Sequence, residues 1–186
     1  MNRPLNLILG LIVFALFSPF MLAIAVAIKL GSRGPVFHRS DRVGTDNVIF
    51  KMYKFRTMKM GTPNVATHLM TNPESYVTGI GRFLRKTSLD EVPQVINIIK
   101  GDMNFVGPRP ALFNQDDLIA LRTQKGVHKL QTGLTGWAQI NGRDDLSIPD
   151  KVGYDEYYLH HRSLGLDLKI IFRTFFSVTR AEGVSH

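Results

Sequence analysis

The stretch LNLILGLIVFALFSPFMLAIAVAI, residues 5–28, decides how this chain is laid out. It carries no charge, and as a helix rising 1.5 Å per residue it reaches about 36 Å, enough for a hydrocarbon core of about 30 Å. Ala25-Val26-Ala27 imitates the cleavage site of a secretory leader, but the apolar run is longer than the 7–15 residues or so of such a leader. Two features set it apart from a plain spanning helix. Pro19 lies near its middle, and basic residues flank both ends: Arg3 before it, and Lys29, Arg33, Arg39 and Arg42 after it. Proline removes a backbone hydrogen bond and crowds the preceding turn. A break at Ser18-Pro19, with the serine hydroxyl serving a freed carbonyl, lets the helix return to the face it came from. On helix physics alone, re-entrant and spanning readings both stay open.

Outward from this segment, 186 residues with 44% hydrophobic content suit one compact domain. The net charge of +8 and pI near 9.9 favour anionic partners: nucleic acid, an anionic membrane face or phosphorylated small molecules. With no cysteine there is no disulfide framework or thiolate metal site, and the six histidines lack zinc-ligand spacing.

Runs 35–42 and 47–57 flank the turn residues Gly44-Thr45-Asp46-Asn47 and predict a β-hairpin, with Lys54 and Arg56 on one side of its second strand. Edge strands often carry lysine, so this pair reads equally as a solvated edge. Residues 60–75 show no period and read as a loop long enough for a lid. Helical stripes follow at Tyr76, Ile80, Phe83 and Leu84, then at Val92, Val95, Ile96 and Ile99.

Between these helices TSLDEVPQ, residues 87–94, places Asp90 beside Glu91. Ser88-x-x-Glu91 matches a capping box, but Pro93 fits better if the helix starts near Asp90, where a missing N–H costs little. Asp90 at a helix start is kept ionised by free N–H groups, and Glu91 is a second hard-oxygen ligand suited to Mg²⁺. Arg82, Arg85 and Lys86 precede the acids, and Arg109 follows, stiffened between Pro108 and Pro110. Fixed guanidinium groups beside a carboxylate and a divalent ion suit phosphoryl transfer, in which the carboxylate attacks phosphorus. No P-loop or dinucleotide fingerprint competes.

SLDEVPQ, KGDMNFVGPRP, GLTGWAQINGR and YDEYY, in this order behind a proline-broken apolar helix, resemble the bacterial sugar transferase family, the monotopic polyprenyl-phosphate phosphoglycosyl transferases, from about residue 3 to about residue 180. The resemblance implies transfer of a sugar 1-phosphate from a UDP-sugar to undecaprenyl phosphate through an aspartyl intermediate, with release of UMP. It implies a re-entrant N-terminal helix at the cytoplasmic face of the bacterial inner membrane, with membrane lipids as partners and no nucleic acid. By motif, Asp90 is the nucleophile, Glu91 its partner in holding Mg²⁺, and Arg85 and Arg109 hold phosphate oxygens, with Lys54 and Arg56 as weaker candidates. Gly133–Gly136, then Gln139, Asn141, Gly142 and Arg143, read as a loop lining the nucleotide-sugar pocket. Trp137 reads as a stack for uracil or as packing. Tyr154, Asp155, Tyr157 and Tyr158 match the family, and a tyrosine-rich helix also suits a seat at lipid headgroups. No residue names the sugar or the oligomeric state. The chain resembles the minimal form of the family, expected to lack the extra membrane helices of longer members.

SLGLDLKIIFRTFFSVTR, residues 163–180, has the composition of an amphipathic interfacial helix, with a core helix as the alternative. The expected fold is α+β and helix-rich: a proline-broken re-entrant membrane helix over 1–30, then a cytoplasmic membrane-associated catalytic domain over 31–186 with a small hairpin and amphipathic interfacial helices. A membrane-anchored basic module binding anionic lipid or nucleic acid shares the anchor, the charge and the interfacial helix, but has no use for Asp90.

Overall fold

The computed structural model describes residues 2–62, 73–142 and 145–180. Helix α1 (Arg3–Gly31) takes up the whole apolar run. Asn2 caps it by accepting the Leu5 N–H at 3.2 Å, and Pro4 occupies the first turn, where no donor is needed. The helix is continuous through Pro19. Proline frees the carbonyl four residues back, and Ser18 Oγ donates to that carbonyl, Ala15 O, at 2.9 Å. The serine hydroxyl thus serves as the sequence suggests.

Helix α1 is fastened to the rest of the protein near both ends and bare between them. Arg3 donates to Ile98 O at 2.5 Å and to Ile99 O at 2.6 Å. Asn6, fully buried, accepts the Phe105 N–H at 2.9 Å, and Gly10 lies against Ile98 and Ile99. Beyond Pro19, Met21 and Ile28 join Phe55 and Leu84 in one buried cluster. In the middle, Leu11, Ile12, Leu16, Phe17 and Phe20 are exposed.

Strands β1 (Phe37–Val43) and β2 (Ile49–Phe55) form the predicted hairpin, pairing antiparallel from Phe37↔Phe55 to Val43↔Ile49. Its turn holds Asp46 and Asn47 at φ 52° and 60°, a left-handed conformation that short polar side chains tolerate. After β3 (Asn104–Val106), the short β4 (Ala111–Leu112) joins the free edge of β1. β3 itself pairs in parallel with β5 (Gly133–Thr135). Residues 133–135, read as loop from sequence, are therefore strand. The glycines explain how: a Cβ on Gly133 would fall inside the main chain of Gly107, and one on Gly107 inside that of Gln131. The two motifs interlock through bare backbone, which only glycine permits.

Helix α2 (Gly79–Lys86) is capped by Thr78 Oγ1, which accepts the Gly81 N–H at 3.0 Å. Its Leu84 is fully buried, whereas Phe83, placed in the same stripe by sequence, is exposed. Helix α3 (Gln94–Lys100) follows a 3-10 turn at Leu89–Glu91. It is covered on two sides: Ile96, with Val92 just before the helix, packs on the Met21, Ile28, Phe55 and Leu84 cluster and Ile99 lies against Gly10 of α1, while Asn97 docks on β2, accepting the Tyr53 N–H at 3.0 Å and donating to Lys51 O at 2.8 Å. Helices α4 (Asp116–Gln124), α5 (Ile148–His161) and α6 (Leu164–Arg180) close the body. Tyr158 Oη donates to Asp167 Oδ1 at 2.6 Å and ties α5 to α6. Helix α6 serves both readings made from sequence: Ile170 and Ile171 pack into the core, while Leu164, Leu168, Phe172, Phe175 and Phe176 are exposed.

Candidate active site

The acid pair sits in the 3-10 turn that leads into α3. The capping box does not form. Ser88 is left-handed (φ 55°) with no side-chain cap, and the Glu91 carboxylate points instead at two cations. Lys54 Nζ, from β2, lies 2.7 Å from Glu91 Oε1, and Arg109, from the turn after β3, grips the same carboxylate with Nη2 at 2.7 Å and Nη1 at 3.4 Å. Burial alone would raise the Glu91 carboxyl, but the charges and hydrogen bonds of Arg109 and Lys54 hold it well below the usual carboxylate range.

Asp90 is treated differently. Its nearest cation, Lys54 Nζ, is 4.0 Å from Oδ2, and no hydrogen bond ties its carboxylate among the described residues. Burial pushes the Asp90 carboxyl up and the Glu91 charge adds to that, while Lys54, Arg85 and Arg109 pull it down. The expectation that free N–H groups at a helix start keep Asp90 ionised is not met: its side chain caps nothing among the described residues, and on balance its carboxyl is raised, burial outweighing the cations. The pair is thus split into one clamped acid and one left available.

The other sequence candidates fall into distinct places. Arg85, at the end of α2, reaches Met58 Sδ at 4.0 Å and acts on Asp90 through its charge. Arg56 does not join the acid pair. It follows the last residue of β2 and turns to the end of α1, donating to Arg33 O at 2.5 Å, to Ser32 O at 2.9 Å and to Ser32 Oγ at 2.8 Å. Carbonyls there lie at the negative end of the helix dipole, and a buried guanidinium serves them. Gly34 leaves room for it, since a Cβ there would overlap the guanidinium. Gln139 and Asn141 lie in one 3-10 turn. Asn141 donates to Trp137 O at 2.7 Å, and the Gln139 amide is buried without a protein partner among the described residues. Arg143 and most of the 60–75 loop lie outside the described residues. Trp137 packs: its ring stacks on Tyr157 at 5.5 Å between centroids, and Lys169 Nζ sits 5.5 Å from its centroid.

Two arginines escaped the sequence reading as site residues. Arg42, on the same face of the hairpin as Lys54 and His38, donates to Pro110 O at 3.3 Å. Burial and the Arg109 charge push its guanidinium down to about 10. Arg122, on α4, is buried against Asp155 on α5. The strand period could have pointed to Arg42; the Arg122 partnership spans 33 positions and leaves no local signal.

Mg²⁺ is commonly held by one or two carboxylates together with substrate phosphates. The acid pair supplies two carboxylates of that kind, and among the described residues no three acidic or histidine side chains converge. Asp90 would be the carboxylate open to such an ion, with Glu91 beside it held by Lys54 and Arg109.

Residues 1–181 match the family model described as bacterial sugar transferase. This chain belongs to the bacterial sugar transferase family. Among its relatives, the UDP-glucose:undecaprenyl-phosphate glucose-1-phosphate transferase of Escherichia coli (strain K12) is 39% identical over 183 residues, covering 95% of this chain and 39% of the relative. The UDP-N-acetylgalactosamine-undecaprenyl-phosphate N-acetylgalactosaminephosphotransferase of Aeromonas hydrophila is 36% identical over 190 residues, covering 98% and 44%. The exopolysaccharide production protein ExoY of Rhizobium meliloti (strain 1021) is 36% identical over 199 residues, covering 98% and 87%. This sugar transferase chain therefore spans about two fifths of the first two relatives and most of the third.

Proposed function

We propose that this chain transfers a sugar 1-phosphate from a UDP-sugar to undecaprenyl phosphate through a covalent intermediate on Asp90, the first membrane step in building a glycoconjugate such as capsule or O-antigen. The observation that carries this reading is the division of labour in the acid pair: Glu91 is clamped at 2.7 Å by both Lys54 and Arg109, while the adjacent Asp90 carboxylate is left without a hydrogen bond among the described residues. A carboxylate so placed can act as a nucleophile.

Asp90 Oδ attacks the phosphorus that bears the sugar. A new O–P bond forms, the bond from that phosphorus to the bridging oxygen breaks, and its electron pair leaves with UMP. A phosphate oxygen of undecaprenyl phosphate then attacks the same phosphorus, the bond to Asp90 breaks, and the carboxylate is restored with polyprenyl-diphosphate-sugar as product. Lys54 and Arg109 hold phosphate oxygens, and the Arg85 charge helps keep Asp90 ionised. Mg²⁺ held by the acid pair would offset the diphosphate charge. Because both substrates are anionic phosphates, a stored intermediate lets them use one site in turn.

The membrane arrangement follows from α1. Its two ends are fastened to one body, which lies on one side of a bilayer, and its exposed apolar middle is what lipid would cover. Helix α3, 7 residues and about 10 Å long, lies against Gly10 of α1 through Ile98 and Ile99, and its Ile96 packs on the cluster that Met21 and Ile28 of α1 share with Phe55 and Leu84. Although α1 is continuous through Pro19, both its ends meet one body, which supports a helix held at one membrane face, proposed as the cytoplasmic one, with the exposed face of α6 at the same surface.

The test is UMP release from a panel of UDP-sugars by detergent-purified protein with Mg²⁺ and undecaprenyl phosphate, beside Asp90→Asn. Lipid-stimulated release from one sugar, abolished in the variant, is the expected result. Silence across the panel with folded protein would favour a non-catalytic basic membrane module.

A further inference from the structure

Arg109 is useful only if its guanidinium is held where the phosphates come, and the turn that carries it has few handles. Pro108 and Pro110 offer no N–H, so the turn is fixed through its carbonyls. Each of three successive carbonyls is taken by a different element. The Gly133 N–H of β5 donates to Pro108 O at 2.9 Å, Arg122 Nη1 of α4 to Arg109 O at 2.8 Å, and Arg42 Nη1 of β1 to Pro110 O at 3.3 Å. Arg122 alone is anchored in turn by a buried acid: its Nε and Nη2 both donate to Asp155 Oδ2, at 3.0 and 2.6 Å, with Asp155 only 1% exposed.

We propose that Asp155 and Arg122 are positioning residues for the transfer reaction. Asp155 fixes the Arg122 guanidinium, Arg122 fixes the main chain of Arg109, and the Arg109 side chain thereby keeps its place beside Glu91. The inference rests on the proposed function and gives the acid of YDEYY a task that headgroup seating does not. A buried ion pair adds little net stability, since apolar side chains of similar size replace one at little loss. What apolar packing cannot supply is the third donor. The planar fork of arginine serves a carboxylate and a carbonyl in two fixed directions at once, which a lysine ammonium does not.

The experiment is a double-mutant cycle on the full chain in detergent, reading kcat and KM for UMP release together with thermal melting, for Asp155→Asn, Arg122→Lys, Arg109→Ala and the two doubles with Arg109→Ala. The expected result is that Asp155→Asn and Arg122→Lys each lower kcat/KM by about tenfold to a hundredfold in folded protein, the range a small misplacement costs. In the Arg109→Ala background each adds less than about twofold, because the group they position is gone. Should Asp155→Asn fail to fold, Arg122→Lys keeps the charge pair and tests the same link. Losses that multiply in the Arg109→Ala background, or wild-type kinetics in folded Arg122→Lys, would overturn this inference alone. No UMP release by the unmutated chain would overturn the proposed function and this inference with it.

Discussion

Two neighbouring carboxylates acquire opposite duties because the cations around them are placed unevenly. Lys54 and Arg109 spend their short contacts on Glu91 and act on Asp90 only through longer-range charge. On the proposed mechanism Asp90 must be ionised to attack phosphorus, so activity is expected to fall as pH drops through its pKa. Burial raises that value and Lys54, Arg85 and Arg109 lower it against the Glu91 charge. Removing one cation therefore moves it up: Lys54→Met is expected to shift the acid limb of the kcat/KM profile to higher pH, measured as UMP release between pH 4 and 9 or so. Arg56 is the opposite case. Its donors hold carbonyls at the end of α1, so Arg56→Ala is expected to cost about 2 kcal/mol or more of stability in denaturant melts while leaving the KM of the folded fraction unchanged. The strand period put Lys54 and Arg56 together in sequence. Only the ending of β2 at Phe55 separates them.

Among the elements, what could be read from sequence is what repeats locally. The uncharged run of α1, the hairpin around Asp46 and Asn47, and the stripe of α3 are all patterns within a few residues. Contacts between distant main chains are not. Gly133 and Gly107 look like loop glycines, yet they let β3 and β5 approach until no side chain fits between them. Gly133→Ala is expected to force these strands apart and displace the turn carrying Arg109, giving loss of soluble folded protein or a clearly lowered melting temperature together with lost UMP release. Asn97 was hidden for a similar reason: a polar residue inside an apolar stripe shows its purpose only once the main chain of Lys51 and Tyr53 is beside it. The Arg122–Asp155 pair joins two helices and is equally invisible to periodicity.

For the whole molecule, a chain of net charge +8 has both ends of an apolar helix fastened to one body, which suits the proposed placement of the site at an anionic surface. On the proposed function one substrate is soluble and the other keeps its phosphate at the bilayer, and a half-submerged protein would reach both. The native absence of cysteine allows a clean test of the arrangement. Single cysteines placed at positions 2 and 35 are expected to react with a membrane-impermeant maleimide only from the cytoplasmic side of inverted vesicles; labelling of the two from opposite sides would establish a spanning helix. The most direct test of the central claim is intact-mass spectrometry of purified protein given its UDP-sugar without undecaprenyl phosphate. Nucleophilic Asp90 requires a mass gain of one sugar phosphate, cleared on adding undecaprenyl phosphate and absent in Asp90→Asn. UMP release by an Asp90→Asn protein at the wild-type rate, with no adduct on either, would contradict it.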